Sequence, residues 1–178
     1  VRYSVVKTVA PIEEPVTLVE AKEHLRVDGS LEDDYISALI SAARDRAENY
    51  CNRFFTETQA TIVYYGTFPE VLRLPYPDLV TVDSITYKDL GDNQQSLTGY
   101  TFDPQTQIVT YDGLPQAKTF KVDVSAAPPL EFKAVKQAIL MTVADLYETR
   151  VEHIVGTSIA LNRAVKVMLY PYRVELGI

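Results

Sequence analysis

The sequence has a single cysteine, Cys51, so no intramolecular disulfide is possible and nothing in it requires an oxidising compartment. It has no Trp, two His, two Met and seven Gly. With so few Gly beside ten Pro, collagen-like and low-complexity classes are excluded. The longest apolar stretch, around Ala138–Ala144, is far too short to span a bilayer and follows Lys136 and Gln137. The first residues, Val1 to Val16, lack the basic end and apolar block of a signal peptide, so the default expectation is a soluble cytoplasmic protein. Basic residues are scarce as well: 17 against 24 acids, a net charge of -7. A nucleic-acid binder displaces counterions with a basic face, and here any such face is only local.

What is present is ordinary globular material, with 47% hydrophobic and 23% charged residues in 178. Twelve Tyr suit half-buried surfaces, ring inside and hydroxyl at a polar edge. The acidity is concentrated. Residues 11–40 hold eight acids and two bases, nearly the whole excess, so one surface should carry it.

The hydrophobic period is helical, then strand-like, then helical again. Thr17-Leu18-Val19-Glu20 is a capping box, and Leu18, Ala21 and Leu25 share a face, which predicts a helix over about 18–26. Asp28-Gly29-Ser30 is a turn. A second helix is predicted with Ser30 as N-cap and Glu32, Asp33 and Asp34 in its first turn, where the helix dipole favours anions. Its stripe of Ile36, Leu39, Ile40, Ala43, Ala47, Tyr50 and Phe54 runs to about Phe55.

From Thr58 to Ala127 the period falls to two. Strands are predicted at 61–65, 82–87, 108–111 and 120–124, separated by turn residues such as Gly91-Asp92-Asn93 and Asp112-Gly113. That spacing points to an antiparallel sandwich or small barrel of five or six strands. A third helix follows Pro128-Pro129 to about Arg150, and a last one covers about 158–170 before Pro171. The expected fold is α+β: a four-helix core built from both chain ends (1–57 and 129–178), with a small antiparallel β-domain, 58–128, inserted between them. Neither helical pair alone covers its apolar stripe, so the ends must meet.

The search for chemistry returns little. Phosphate-cradling Gly motifs, H-E-x-x-H, C-x-x-C and G-x-S-x-G are all absent. Cys51 lies beside an apolar stripe and reads as a packing thiol. His24 and His153 read as solvated or singly hydrogen-bonded. Asp28-Gly29-Ser30-Leu31-Glu32 starts like a calcium loop but has Asp33 where Gly belongs and Leu39 where Glu belongs. No catalytic, cofactor or metal site is expected. Arg44, Arg46 and Arg53 fall on the polar side of the second helix. The segment 133–178 is mildly basic, six bases to four acids. Intrahelical pairing explains these charges as well as head-to-tail pairing with the 11–40 acids of another copy, a contact that closes rings when the rotation allows.

The order of motifs resembles the head–tail connector (adaptor) proteins of tailed bacteriophages and related prophage elements. The resemblance rests on Val16 to Asp28 (VTLVEAKEHLRVD), Ser41 to Tyr50 (SAARDRAENY), Val82 to Asp89 (VDSITYKD), Lys136 to Leu140 (KQAIL), Tyr147 to Arg150 (YETR) and Leu169 to Arg173 (LYPYR). Ser125-Ala126-Ala127 departs from the Gly-aromatic step the family often carries there.

The resemblance implies a non-enzymatic role in the virion neck, assembled in the host cytoplasm. It implies a ring of twelve copies under the portal, which extends the DNA channel and docks a stopper or tail-completion protein, without cofactor or membrane. DNA would pass unbound, since a lumen that is not basic does not grip phosphates. Glu20, Glu23, Glu32, Asp33 and Asp34 are the expected channel or inter-subunit acids. Arg44, Arg150, Arg163 and Lys166 are the expected inter-subunit bases. Tyr170, Pro171, Tyr172, Arg173, Val174, Leu176 and Ile178 form the candidate portal-docking tail, against the alternative of a tail folded on its own core. The β-domain is expected at the ring periphery. The competing readings are a stopper or tail-terminator protein, a small enzyme without recognisable motif, and a cellular binding module.

Overall fold

A computed structural model describes residues 2–9, 11, 13–128, 132–149 and 162–174. The fold is α+β, with four α-helices and antiparallel sheets among the described residues, in two compact units. One unit is Glu13–Phe55 with Pro129–Ile178, the other Val1–Ile12 with Thr56–Pro128.

The first unit is helical. Helix α1 spans Leu18–Leu25, α2 Asp33–Cys51, α3 Lys133–Glu148 and α4 Arg163–Leu169. At α1 the predicted capping box forms: the Glu20 amide donates to Thr17 Oγ1 at 3.3 Å, and the Thr17 amide donates to Glu20 Oε2 at 3.0 Å. Arg26 ends the helix in the left-handed region, φ 58°. Helix α2 starts later than the turn chemistry predicts. Ser30 is not its cap; Glu32 holds that position without a side-chain cap bond, because its carboxylate accepts from the Tyr147 hydroxyl instead. Ile36, Ile40, Ala43, Ala47 and Cys51 line the buried side of α2 at spacings of three and four. They share one apolar cluster with Val135, Ala138, Ile139 and Val143 of α3 and Val165 and Leu169 of α4. The alanines at 43, 47 and 138 leave the space for close helix approach, so the cluster is continuous from both ends of the chain. Phe55 meets Phe132 edge-on at 5.4 Å between centroids. The predicted extension of the last helix back to 158 lies outside the described residues.

Among its described residues the second unit holds eight strands, seven of them within 58–128, where five or six were expected. Strands β1 (Arg2–Lys7), β2 (Thr58–Tyr65), β4 (Leu79–Lys88), β5 (Gln94–Ser96) and β8 (Thr119–Ala126) form one sheet in the order β1-β2-β8-β4-β5. Strands β3 (Leu72–Arg73), β6 (Tyr100–Asp103) and β7 (Ile108–Tyr111) form the other in the order β3-β7-β6. Residues 2–7, read from sequence as part of the helical segment, instead form β1 and pair with β2 from Arg2↔Tyr65 to Lys7↔Ala60. The physical reason is non-local: a six-residue strand gains its hydrogen bonds only from a partner more than fifty residues away.

Strict alternation puts Ala60, Ile62 and Tyr64 of β2 and Phe120, Val122, Val124 and Ala126 of β8 on one buried face. Register matches large to large, with Ile62↔Val122 and Tyr64↔Phe120. Phe120, with no exposed surface, stacks on Tyr64 at 4.6 Å and on Phe68 at 4.1 Å. Phe68 also meets Tyr111 of β7 edge-on, so one aromatic cluster touches both sheets. Burying one such ring removes enough apolar area to contribute roughly 2–3 kcal/mol.

Candidate functional site

The described residues hold no group of three or more His, Cys, Asp or Glu placed to bind a metal ion, and no helix long and apolar enough to cross a membrane. Cys51 is buried among apolar side chains, its Sγ 3.6 Å from the Leu169 carbonyl oxygen. Burial pushes its thiol pKa up to about 11, the opposite of what a nucleophile needs. The charged residues of the helical unit singled out from sequence fall into three groups.

The first is sealed inside the helical unit. Arg44 is only 4% exposed. Its Nε donates to Glu14 Oε2 at 2.7 Å, its Nη1 to Asp45 Oδ1 at 2.9 Å and to Glu48 Oε2 at 3.3 Å. Burial alone would lower the guanidinium pKa; the hydrogen bond and charge of Glu14, then the charges of Glu48 and Asp45, outweigh it and raise it. Glu48, equally buried, also accepts from the Phe55 amide at 2.7 Å, and Ser41 donates to Glu14 at 2.8 Å. Arg44 was expected to pair with a neighbouring copy. Within the chain its donors go to Glu14, Asp45 and Glu48, and its side chain is almost wholly buried. The signal in the sequence was Glu48 four residues on; Glu14, thirty residues upstream, gave none.

The second group is the acidic segment, and it divides. Glu20 is committed to its cap and to Lys136, 2.5 Å away. The Lys136 hydrogen bond and then the Thr17 amide hold its carboxyl down to about 2. Asp33 pairs with Lys22 at 2.6 Å, and Glu32 accepts from Tyr147. Glu23 and Asp34, with Asp28, are exposed and make no ion pair among the described residues. Of the five named acids, two therefore face solvent uncompensated. Val19 and Leu31, exposed apolar residues in the same region, were not singled out from sequence.

The third group is at the chain's end. Arg163 and Lys166 on α4 are exposed and make no ion pair among the described residues. Arg150 lies outside the described residues, as do Leu176 and Ile178. Beyond α4, Tyr170–Tyr172 form a 3-10 turn. Tyr170 and Pro171 are exposed, whereas Tyr172 packs edge-on against Phe132 at 5.2 Å and Arg173 lies over the Tyr50 ring. The Val174 amide donates to the Cys51 carbonyl at 2.8 Å, and Asn52 Nδ2 donates to the Val174 carbonyl at 3.0 Å. The tail is thus tied to its own helical unit as far as Val174.

Comparison with known proteins gives the class of this chain. The sequence model of the head completion protein family matches residues 15–171. The chain belongs to the head completion protein family, and the head–tail connector resemblance read from its motifs holds. No curated protein matches the sequence. Among solved structures, the fold is similar to a chain in the neck of an empty GTA particle computed with C6 symmetry, with TM-score 0.72 and 17% identity over 98% of this chain and 97% of that one. It is also similar to a chain in the virion of a native gene transfer agent (GTA) particle, with TM-score 0.65, 14% identity and the same coverages. A third likeness is to the neck of a native GTA particle computed with C12 symmetry, with TM-score 0.64, 16% identity and again the same coverages.

Proposed function

We propose that this chain is the head–tail adaptor of a tailed phage or phage-like particle, a non-enzymatic ring of twelve copies beneath the portal. The observation that carries the reading is end-to-end likeness of fold to chains of GTA necks computed with C6 and C12 symmetry, joined to membership of the head completion family. On this reading the four helices form one core from both ends of the chain. The two sheets form a small sandwich inserted as 58–128, with β1 added to its edge, at the ring periphery.

The ring extends the DNA channel and docks the next neck component. A net charge of -7 supports passage of DNA without capture, because a lumen that displaced counterions from phosphates would hold the duplex. Glu23 and Asp34 are the acids left to face the channel or a neighbour. Portal docking falls to the tail from Tyr170 onward, with its exposed Tyr170 and Pro171 and the residues after Val174, Leu176 and Ile178 among them.

The test is a particle preparation from cells lacking this chain. Heads that fill with DNA but carry no tail, and that regain tails when the chain is supplied, are the expected result. Fully tailed particles without it would refute the proposal. A chain that joins only after another neck protein is in place would identify a stopper instead.

A further inference from the structure

We propose that the outer face of α4 in one copy docks into the depression beside α1 of the next, so that Val167 sits against Val19 and Val27, and Arg163 and Lys166 meet Glu23 and Asp28. This rests on the ring reading above and names the contact that closes it.

Two surfaces of the helical unit complement each other and are left unsatisfied within one chain. On α4, Arg163, Lys166 and Val167 stand at i, i+3 and i+4, one face of a helix, while Val165 and Leu169 point into the core. Val167 is 66% exposed, and the sequence from 153 to 174 has three cations and no acid. At α1, an open depression is lined by Val19 and Val27, the acids Glu23 and Asp28, and the bases Lys22 and Arg26. Val19 is 64% exposed. Lys22 is already bound to Asp33 and to the Gly29 carbonyl, so among the lining charges Glu23 and Asp28 stand against Arg26. From 18 to 34 there are six acids against those two bases.

Helices α1 and α4 each pack against α2 and α3, and among the described residues no ion pair joins the α4 cations to the α1 acids. A cationic helix face on one copy and a depression whose free lining charges are two acids to one base on the next make a heterologous contact, the kind that closes a ring when its rotation permits. The charges steer and set register, and the valines supply the desolvated centre.

The experiment uses assembled particles carrying the full chain. Val19→Cys and Val167→Cys are placed together in the chain, and particles are treated with a short bismaleimide; both sites are exposed, and buried Cys51 does not compete. A ladder of covalent multimers from the double variant, with monomers only from each single variant, is expected. In parallel, Glu23→Lys with Asp28→Lys should empty the neck of this chain, and adding Arg163→Glu with Lys166→Glu to the same chain should restore it. Particles with a full complement of the chain but no cross-linked ladder overturn the contact and leave the ring standing. Wild-type particles that lack the chain altogether overturn the adaptor reading and this contact with it.

Discussion

Replacing Arg44 by Met tests whether the buried charge cluster organises the helical unit. Met keeps most of the aliphatic stem and deletes the cation. Asp45 is half exposed and Glu14 partly so, and both can return to water. Glu48 cannot: its side chain is 3% exposed, and after the change it keeps the Phe55 amide at 2.7 Å but loses the guanidinium. Leaving one partner of a buried pair uncompensated costs about 3–5 kcal/mol. The surviving amide donor places this case near the lower end, roughly 3 kcal/mol, a large part of the ~5–15 kcal/mol typical of a whole domain. With a urea slope of about 2 kcal/mol/M, the midpoint should fall by about 1.5 M. The assay is urea unfolding followed by circular dichroism at a helix band, since the chain has no Trp to report by fluorescence. Adding Glu48→Gln to Arg44→Met should recover more than half of the loss, because the buried charge that lost its guanidinium is then gone. A midpoint shift below about 0.3 M, or no recovery in the double variant, would refute the reasoning.

Two further outcomes follow from single side chains. Glu20 is held at about 2 in the folded chain against an ordinary 4.5, so the stability it contributes is present above about pH 4.5 and is lost as the pH falls toward 2. Thermal midpoints of the wild type and Glu20→Gln should differ at pH 7 and converge at pH 2; a gap that persists at pH 2 would contradict the assignment. Cys51, with its thiol raised to about 11 by burial, should resist iodoacetamide in the native protein at pH 8 and react fully after urea unfolding. Rapid labelling of native protein would show that the site opens.

What could be read from the sequence was what is local. The capping box at Thr17–Glu20 needs only four consecutive residues, and it forms as written. The strands around 61–65, 82–87, 108–111 and 120–124 carry their own alternation, and each lies within an observed strand. Strands β1, β3, β5 and β6 were not located from sequence, and for β1 and β5 the reason to exist lies elsewhere. Arg2–Lys7 is a strand only because β2 presents an edge, and Gln94–Ser96, fully exposed and without an apolar residue, is held by β4 alone. Arg44 fails from sequence for the same reason. Helical phase places it on the polar side of α2, and that side is covered by Glu14 from thirty residues upstream. The exposed valines at 19 and 167 were hidden too, since apolar residues on a short helix read as core until a structure shows which face is taken.

The division of the helical unit between two chain segments raises a problem that the β unit's topology answers. Residues 56–128, 73 in all, separate Phe55 from the α3 segment whose Phe132 it contacts. Closing a flexible loop of that length rather than one of about four residues would cost ~2.5 kcal/mol of chain entropy. The inserted segment is not flexible. It enters through β2 and leaves through β8, adjacent strands of one sheet, and the ladder pairs the first residue of β2, Thr58, with the last of β8, Ala126. Antiparallel partners lie about 5 Å apart, so once this sheet has formed, its entry and exit are held together as in a short loop. The pairs that do this, Ala60↔Val124 and Ile62↔Val122 among them, are buried, as is Ile85↔Val122 between β4 and β8. The strands that bring the chain's two helical segments within reach of each other thus carry a buried face along their ladder, whereas β5, which does not bear on that closure, is short and exposed.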